Sequence, residues 1–354
     1  MDTPCADLVF EGGGVKGIGL AGAYAALRER GVEPKRVAGT SAGAITAALV
    51  AAGYDAAELD QILLEVPFAR FKDEAWEDKA PLLGRPLSVL TQRGIYEGRF
   101  FQNWMRELLE AKDVRTFGQL ADLECPDPKD RYRLKVIVSD VTHRRLLVLP
   151  DDAAHLGVDP DELEVAYAVR MSMSIPVFFE PVMHHNPRTG NDHLIVDGGM
   201  LSNFPVWLFD ARTGEPPRWP TFGLLLVEGD PKVAIGHRIE GAGESGSVVD
   251  FVKALASTMM EAHDRLYLEK STFVRTIPIP TIGVGTTEFD ITRERVRALY
   301  LSGHRAALEF LDRWDFEAYK AEYRSGKEHS RREELATSPA APRSAPPSDA
   351  PAPA

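Results

Sequence analysis

Two glycine-built turns near the start of the chain constrain its fold more than any other feature. The first, Gly12-Gly13-Gly14-Val15-Lys16-Gly17, directly follows the acidic Glu11 and an apolar run ending at Phe10. The second, Gly39-Thr40-Ser41-Ala42-Gly43, begins 22 residues after Gly17. Around them the apolar spacing predicts a short buried strand over 7–10. A helix over 18–30 follows, with Leu20, Tyr24 and Leu27 on one face and Gly31 as its stop. A second strand over 34–38 and a second helix over 42–52, ended by Gly53, complete the pattern. Strand, glycine turn, helix, strand, glycine-flanked serine, helix implies an α/β fold: a mostly parallel sheet covered by helices, with its site at the carboxyl ends of the strands.

The two turns suit acyl transfer. A serine between a strand and a helix, with Gly39 and Gly43 two residues either side, sits on a sharp elbow that exposes its hydroxyl. The same serine would serve equally as a plain helix N-cap, and the predicted flanking elements favour the elbow. Gly13 and Gly14 can present backbone N–H groups to a developing oxyanion, since no Cβ blocks approach. The helix opening near Gly17 adds its positive end, and Lys16 either adds charge or orients the loop. The string also fits a dinucleotide fingerprint through Gly12, Gly14 and Gly17. That reading needs an acid at the end of the second strand, where this chain has Val37-Ala38-Gly39-Thr40-Ser41.

A nucleophilic serine needs a base. Ser41 follows only two strands, too early for the α/β-hydrolase order of serine, acid and histidine. His237, His263 and His304 are available, but His263 and His304 fall in amphipathic helices and read as packed or solvated residues. His184, His185 and His193 flank a turn-rich stretch without a carboxylate pattern, so no metal site is expected. Asp197-Gly198-Gly199 follows the strand-like Leu194-Ile195-Val196, so its carboxylate would emerge at a strand's end. Taken alone, an Asp-Gly pair is an ordinary turn.

Further along, 66–98 reads as a cap over the site or as a surface connection. Residues 100–109 and 161–170 are helical. Strands are expected over 132–139, 146–149, 176–185, 193–196 and 221–227, with a hairpin tip at His143-Arg144-Arg145. Residues 247–268 and 292–311 carry the stripes of amphipathic helices. A short tail (1–6), one domain (7–324) and a disordered charged, then Pro/Ala-rich tail (325–354) are expected. The net charge is −12, which argues against nucleic acid and against electrostatic docking on an anionic bilayer, though not against transient membrane contact through an apolar edge. Cys5 and Cys125 make no disulfide framework. No signal peptide or membrane-length apolar run is visible, so a soluble, cytoplasmic protein is expected.

Together, Gly12–Gly17, Gly39-Thr40-Ser41-Ala42-Gly43, Ser172-Met173-Ser174-Ile175-Pro176-Val177-Phe178-Phe179 and Asp197-Gly198-Gly199 resemble the patatin-like phospholipase family. The resemblance covers about 7–210 with the motifs in order, and the helices to about 312 more loosely. It implies a three-layer α/β/α fold and a Ser-Asp dyad without histidine: Ser41 as nucleophile, Asp197 as base, and Gly12, Gly13 and Gly14 as oxyanion loop with Lys16 nearby. Val15, Gly17, Gly39, Gly43, Gly198 and Gly199 support these motifs. The implied activity is hydrolysis of fatty-acyl esters of phospholipids or lysophospholipids, a lipid-degrading reaction without cofactor or metal. A thioesterase or acyltransferase on the same dyad and a non-catalytic lipid-binding protein are the alternatives. Met171, Met173, Phe178 and Phe179 are candidates for an acyl-chain groove, or for core.

Overall fold

The computed structural model describes residues 4–65, 88–125, 127, 130–176, 178–211, 215–228, 270–286, 288 and 290–324. Strand β1 (Cys5–Phe10) is followed by a 3-10 turn (Gly14–Gly17) that runs into α1 (Ile18–Glu29). Next come β2 (Glu33–Thr40), α2 (Ala42–Ala51), α3 (Ala56–Glu65) and α4 (Ser88–Glu110). The middle of the chain supplies β3 (Leu134–Asp140), β4 (Arg145–Leu149), α5 (Val165–Ser172), β5 (Val182–His185) and β6 (Asp192–Asp197). Then follow β7 (Thr221–Val227), α6 (Lys270–Val274), β8 (Thr276–Pro280), α7 (Arg293–Leu311) and α8 (Phe316–Tyr323).

Hydrogen-bonded neighbours run β5-β6-β3-β2-β1-β7-β8, with β4 also on β3. The pairs β1–β2, β1–β7, β2–β3 and β7–β8 are parallel, whereas β3–β4, β3–β6 and β5–β6 are antiparallel. One junction in this mixed sheet positions the site. Strand β4 pairs with β3 from Val136 to Asp140. It therefore occupies the edge of β3 opposite both β2, paired at Leu134–Ile137, and β6, paired at Val138–Asp140. A strand has only two edges, so β2 and β6 share the other one end to end. Thr40 pairs with Ile137 and Asp197 with Val138, so the ends of two strands distant in sequence meet at adjacent positions of β3.

Alternation along the strands splits the core in two. Leu8, Phe10, Val37, Val136, Val138, Phe222 and Leu224 face one way and bury Leu20, Ala23, Leu27, Ala44, Ala47 and Ala48 of α1 and α2. Val9, Ala38, Ile137, Leu225 and Val227 face the other way. There, among the described residues, Phe204 and the 3-10 turn Val206–Phe209 cover them. Helix α1 packs against α7 and α3, and α5 packs against α4 and β3.

Several expectations shift at their edges. The helix expected over 161–170 begins at Val165, because 161–164 form a turn and an isolated bridge from Glu164 to Thr116. The strand expected over 176–185 is reduced to Val182–His185, while Phe178 and Phe179 turn back with their N–H groups on the Ile175 carbonyl. The helix over 100–109 extends back to Ser88, across a stretch where glycines had hidden it. Four elements had no counterpart in the reading: α3, α6, α8 and β8. Strand β8 carries Pro278 and Pro280, which the sheet tolerates because, among the described residues, β8 pairs on one side only. The rest of the expected cap (66–87), the helix over 247–268 and the tail over 325–354 lie outside the described residues. No helix of the described residues is long and apolar enough to cross a membrane.

Candidate active site

Ser41 is the residue between β2 and α2, and its backbone is strained. Its φ of 53° and ψ of −128° lie where side chains other than glycine are rare, a conformation costing on the order of 1–3 kcal/mol. The turn closes because its flanks carry no side chain. A Cβ on Gly43 would stand 2.3 Å from the Phe10 carbonyl oxygen, and one on Gly39 would stand 2.3 Å from the Gly43 oxygen. The Ser41 N–H donates to Ser172 Oγ at 2.9 Å. The side chain is fully buried, and its hydroxyl contacts Met173 Sδ at 3.8 Å.

Asp197 ends β6 and is also fully buried. Its Oδ1 accepts the Gly199 N–H at 2.7 Å, capping the short turn Gly198–Met200. A Cβ on Gly198 would stand 2.2 Å from the Ile137 carbonyl oxygen, so this turn sits directly on β3. Burial pushes the Asp197 carboxyl up to about 7, against the lowering effects of hydrogen bonding with Ser41 and the Gly199 N–H. Ser41 is therefore the neighbouring side chain that acts on this carboxyl. Yet Oδ2 is buried with no partner in standard hydrogen-bond geometry. Ser41 thus influences the carboxyl without a bond aligned at Oδ2.

The glycine loop lies beside the elbow, where a Cβ on Gly12 would stand 3.0 Å from Ser41 Cβ. Its three glycines are not equivalent. The Gly12 N–H donates to the Asn203 carbonyl at 3.2 Å. The Gly13 N–H meets no acceptor among the described residues. Gly14 has φ +54° and would place a Cβ 2.1 Å from the Thr286 oxygen, so only glycine fits. Val15 is buried and donates its N–H to that same Thr286 oxygen at 3.1 Å. Lys16 is buried, with Nζ 2.6 Å from Glu228 Oε1. Of the two roles open to it, this pairing supports orientation of the loop. Gly17 packs against Ala42 at the start of α2.

Two residues that the sequence did not single out hold this loop. Asn203 Nδ2 donates to the Gly12 carbonyl at 3.0 Å and to Glu11 Oε1 at 3.2 Å, while Glu11 Oε2 accepts the Leu226 N–H. Asn203 lies six positions past Asp197, and its nearness to that turn was the one signal available.

A small apolar pocket adjoins the elbow, lined by Gly14, Gly17, Ile18, Ala42, Ile45, Leu63, Gly98, Phe101, Trp104, Met173 and Phe179, with Thr46 and Arg170 in its wall. Two of the four candidate groove residues are therefore here. Met171 is core, and Phe178 is not part of this lining.

The histidines take other places. His184 is held between the Leu156 carbonyl and the Tyr167 hydroxyl, and His185 pairs with Asp192 on the surface. His304 bonds Glu29, tying α7 to α1. His237 and His263 lie outside the described residues. His193 joins His143 on Asp140, each Nδ1 lying 2.8 Å from Oδ2. Among the described residues this is the group whose ligand atoms could hold a metal ion, all within 4.8 Å of one another. Asp140 also accepts the His143 N–H, so its carboxylate is satisfied by the protein alone. Burial opposes its ionisation, but the bonds from His193 and His143 outweigh that and keep the carboxyl below its ordinary value.

The sequence pattern of the patatin-like phospholipases matches residues 8–210, more than half of the chain. The chain belongs to the patatin-like phospholipase family. It is 39% identical over 313 residues to the protein YqhO of Bacillus subtilis, whose function is uncharacterised, covering 88% of this chain and 99% of that protein. It is 33% identical over 210 residues to the NTE family protein Rv2565 of Mycobacterium tuberculosis. That stretch is 58% of this chain but only 28% of the mycobacterial one. Among solved structures it resembles VipD from Legionella pneumophila, with a TM-score of 0.50 at 18% identity over 88% of this chain and 67% of that one. The likeness to VipD is one of fold. Membership in the patatin-like family makes lipid acyl esters the substrate class to consider.

Proposed function

We propose that this patatin-like protein is a serine acyl-ester hydrolase that cleaves fatty-acyl esters of phospholipids or lysophospholipids through Ser41 and Asp197. One observation carries the reading: a strained serine acting on a buried carboxylate whose second oxygen has no partner among the described residues. In this reading Ser41 Oγ attacks the ester carbonyl while its proton passes to Asp197 Oδ2. A free aspartate would be a feeble base, but a carboxyl raised to about 7 is matched to proton transfer near neutrality. The tetrahedral oxyanion would be met by the Gly13 N–H; one such donor supplies about 2.7–4 kcal/mol. Collapse breaks the ester C–O bond, and Asp197 returns the proton to the leaving alcohol. Water then attacks the acyl-enzyme with Asp197 again as base, releasing the fatty acid.

The apolar pocket beside Ala42 supports a fatty-acyl substrate, because its lining is mostly hydrocarbon. The test is reaction with a fluorophosphonate probe, followed by product analysis on mixed phospholipids, lysophospholipids and acyl thioesters. Probe labelling and fatty-acid release are expected in the wild type and absent in Ser41→Ala. Turnover of thioesters alone would reassign the substrate, and full activity in Ser41→Ala would end the dyad reading.

A further inference from the structure

The segment from Arg170 to Ser174 is hydrogen-bonded to both members of the candidate dyad. Ser172, the last residue of α5, is fully buried. Its Oγ accepts the Ser41 N–H at 2.9 Å and donates its own proton to the Ile137 carbonyl at 2.7 Å. Two residues on, the Ser174 carbonyl accepts the Asp197 N–H at 2.9 Å. Ser174 Oγ in turn accepts from Arg170 at 2.5 Å and donates to the Arg170 carbonyl at 3.1 Å. Between the two serines, Met173 touches the Ser41 hydroxyl. Ile137 is the β3 residue paired with Thr40, immediately before Ser41, and is followed by Val138, which pairs with Asp197.

We propose that Ser172 is a positioning residue that holds the nucleophile's backbone in its strained form and ties it to the β3 position where the base is anchored. The proposal rests on the Ser41–Asp197 reading. The physical case is that a backbone with φ of 53° persists only where its surroundings over-determine it. The Ser41 N–H is one of the groups that must be fixed, and in the buried site its acceptor is a side-chain oxygen. That oxygen is itself fixed, because its only proton is donated to a sheet carbonyl. Ser172 thus transmits the register of β3 to the elbow. Without it the N–H loses its acceptor and the turn can relax, which moves Oγ away from Asp197 and the oxyanion loop.

Cysteine fills nearly the same volume as serine but hydrogen-bonds weakly, so Ser172→Cys separates bonding from space-filling. Steady-state hydrolysis of a p-nitrophenyl acyl ester and the rate of fluorophosphonate labelling are measured on the full chain for wild type, Ser172→Ala, Ser172→Cys and Ser41→Ala, with thermal melting as the check on folding. In both Ser172 variants kcat and the labelling rate are expected to fall by roughly 10²-fold, the scale of a small misplacement of a reacting group, with KM nearly unchanged. Wild-type kcat in the cysteine variant, or a rise in KM alone, would overturn the positioning role. If the alanine variant does not fold, the cysteine variant alone decides. A wild type that neither labels nor turns over defeats the dyad reading and this proposal with it. Labelling that depends on Ser41 but is unaffected in the Ser172 variants defeats only the positioning.

Discussion

At the scale of single residues, the chemistry proposed for this protein depends on the price of burying Asp197. Its carboxyl is fully buried and raised to about 7, far above an ordinary aspartate. As base it must be ionised, so kcat/KM is expected to rise with pH through about 7 and then level. The same shift acts on stability with a definite sign. The folded state holds the proton more tightly than the unfolded chain, so stability falls as pH rises from the unfolded value near 4 to about 7, and the cost stays fully present above that. Asp197→Asn resembles the protonated form. It is expected to lower turnover by orders of magnitude, to melt above wild type at pH 8, and to match it near pH 4. Melting curves across that range check this, and a variant less stable than wild type at pH 8 would contradict the buried-carboxylate account.

At the scale of elements, the two glycine turns work because the backbones behind them nearly touch. Gly43→Ala would drive a Cβ into the Phe10 carbonyl region, and overpacking of this kind costs about 1–3 kcal/mol. It also pushes α2 off β1, so activity and denaturation midpoint are expected to fall together. Asn203→Ala differs. It removes the bonds that hold the Gly12 carbonyl and Glu11 while leaving β1 and α1 intact. Activity is expected to fall at least about tenfold, against a stability loss of about 1–3 kcal/mol for the polar groups left unsatisfied; kinetics and urea denaturation on one preparation separate the two. These elements differ in how far the sequence revealed them. The strands and helices around Ser41 were legible because apolar periodicity and glycine punctuation agree there. Strand β8 was not, since its prolines read as a loop until its edge position is known. The bond from the Asn203 side chain to the Gly12 carbonyl was also invisible, because it spans 191 residues.

At the scale of the whole molecule, distant parts of the chain are fastened by buried charge. Asp210 Oδ1 lies 2.6 Å from Arg275, just before β8, and 3.0 Å from Arg324, just after α8. All three side chains are largely buried. Removing the shared carboxylate leaves two guanidinium groups without it, and breaking a buried ion pair in this way costs about 3–5 kcal/mol. Asp210→Ala is therefore expected to lower stability by that order and to expose α8 to proteolysis before the core around β1–β3. A variant with the wild-type denaturation midpoint would show that α8 is held by its aromatic packing instead.

The sequence by itself determined the local geometry: a strand, a glycine loop, a helix, and a serine on an elbow whose flanks admit no side chain. Those outcomes follow from sterics and hydrophobic spacing over a few residues, which any stretch of chain carries with it. Only the tertiary structure decided which strand ends lie next to that elbow. Asp197 arrives on an antiparallel strand that takes over the edge of β3 where β2 ends, and nothing in the spacing of 41 and 197 encodes that handover. Strand pairing is a contest among all edges of the sheet, settled by burial and register together, so the family resemblance could imply Asp197 as the partner of Ser41 while local spacing could not derive it.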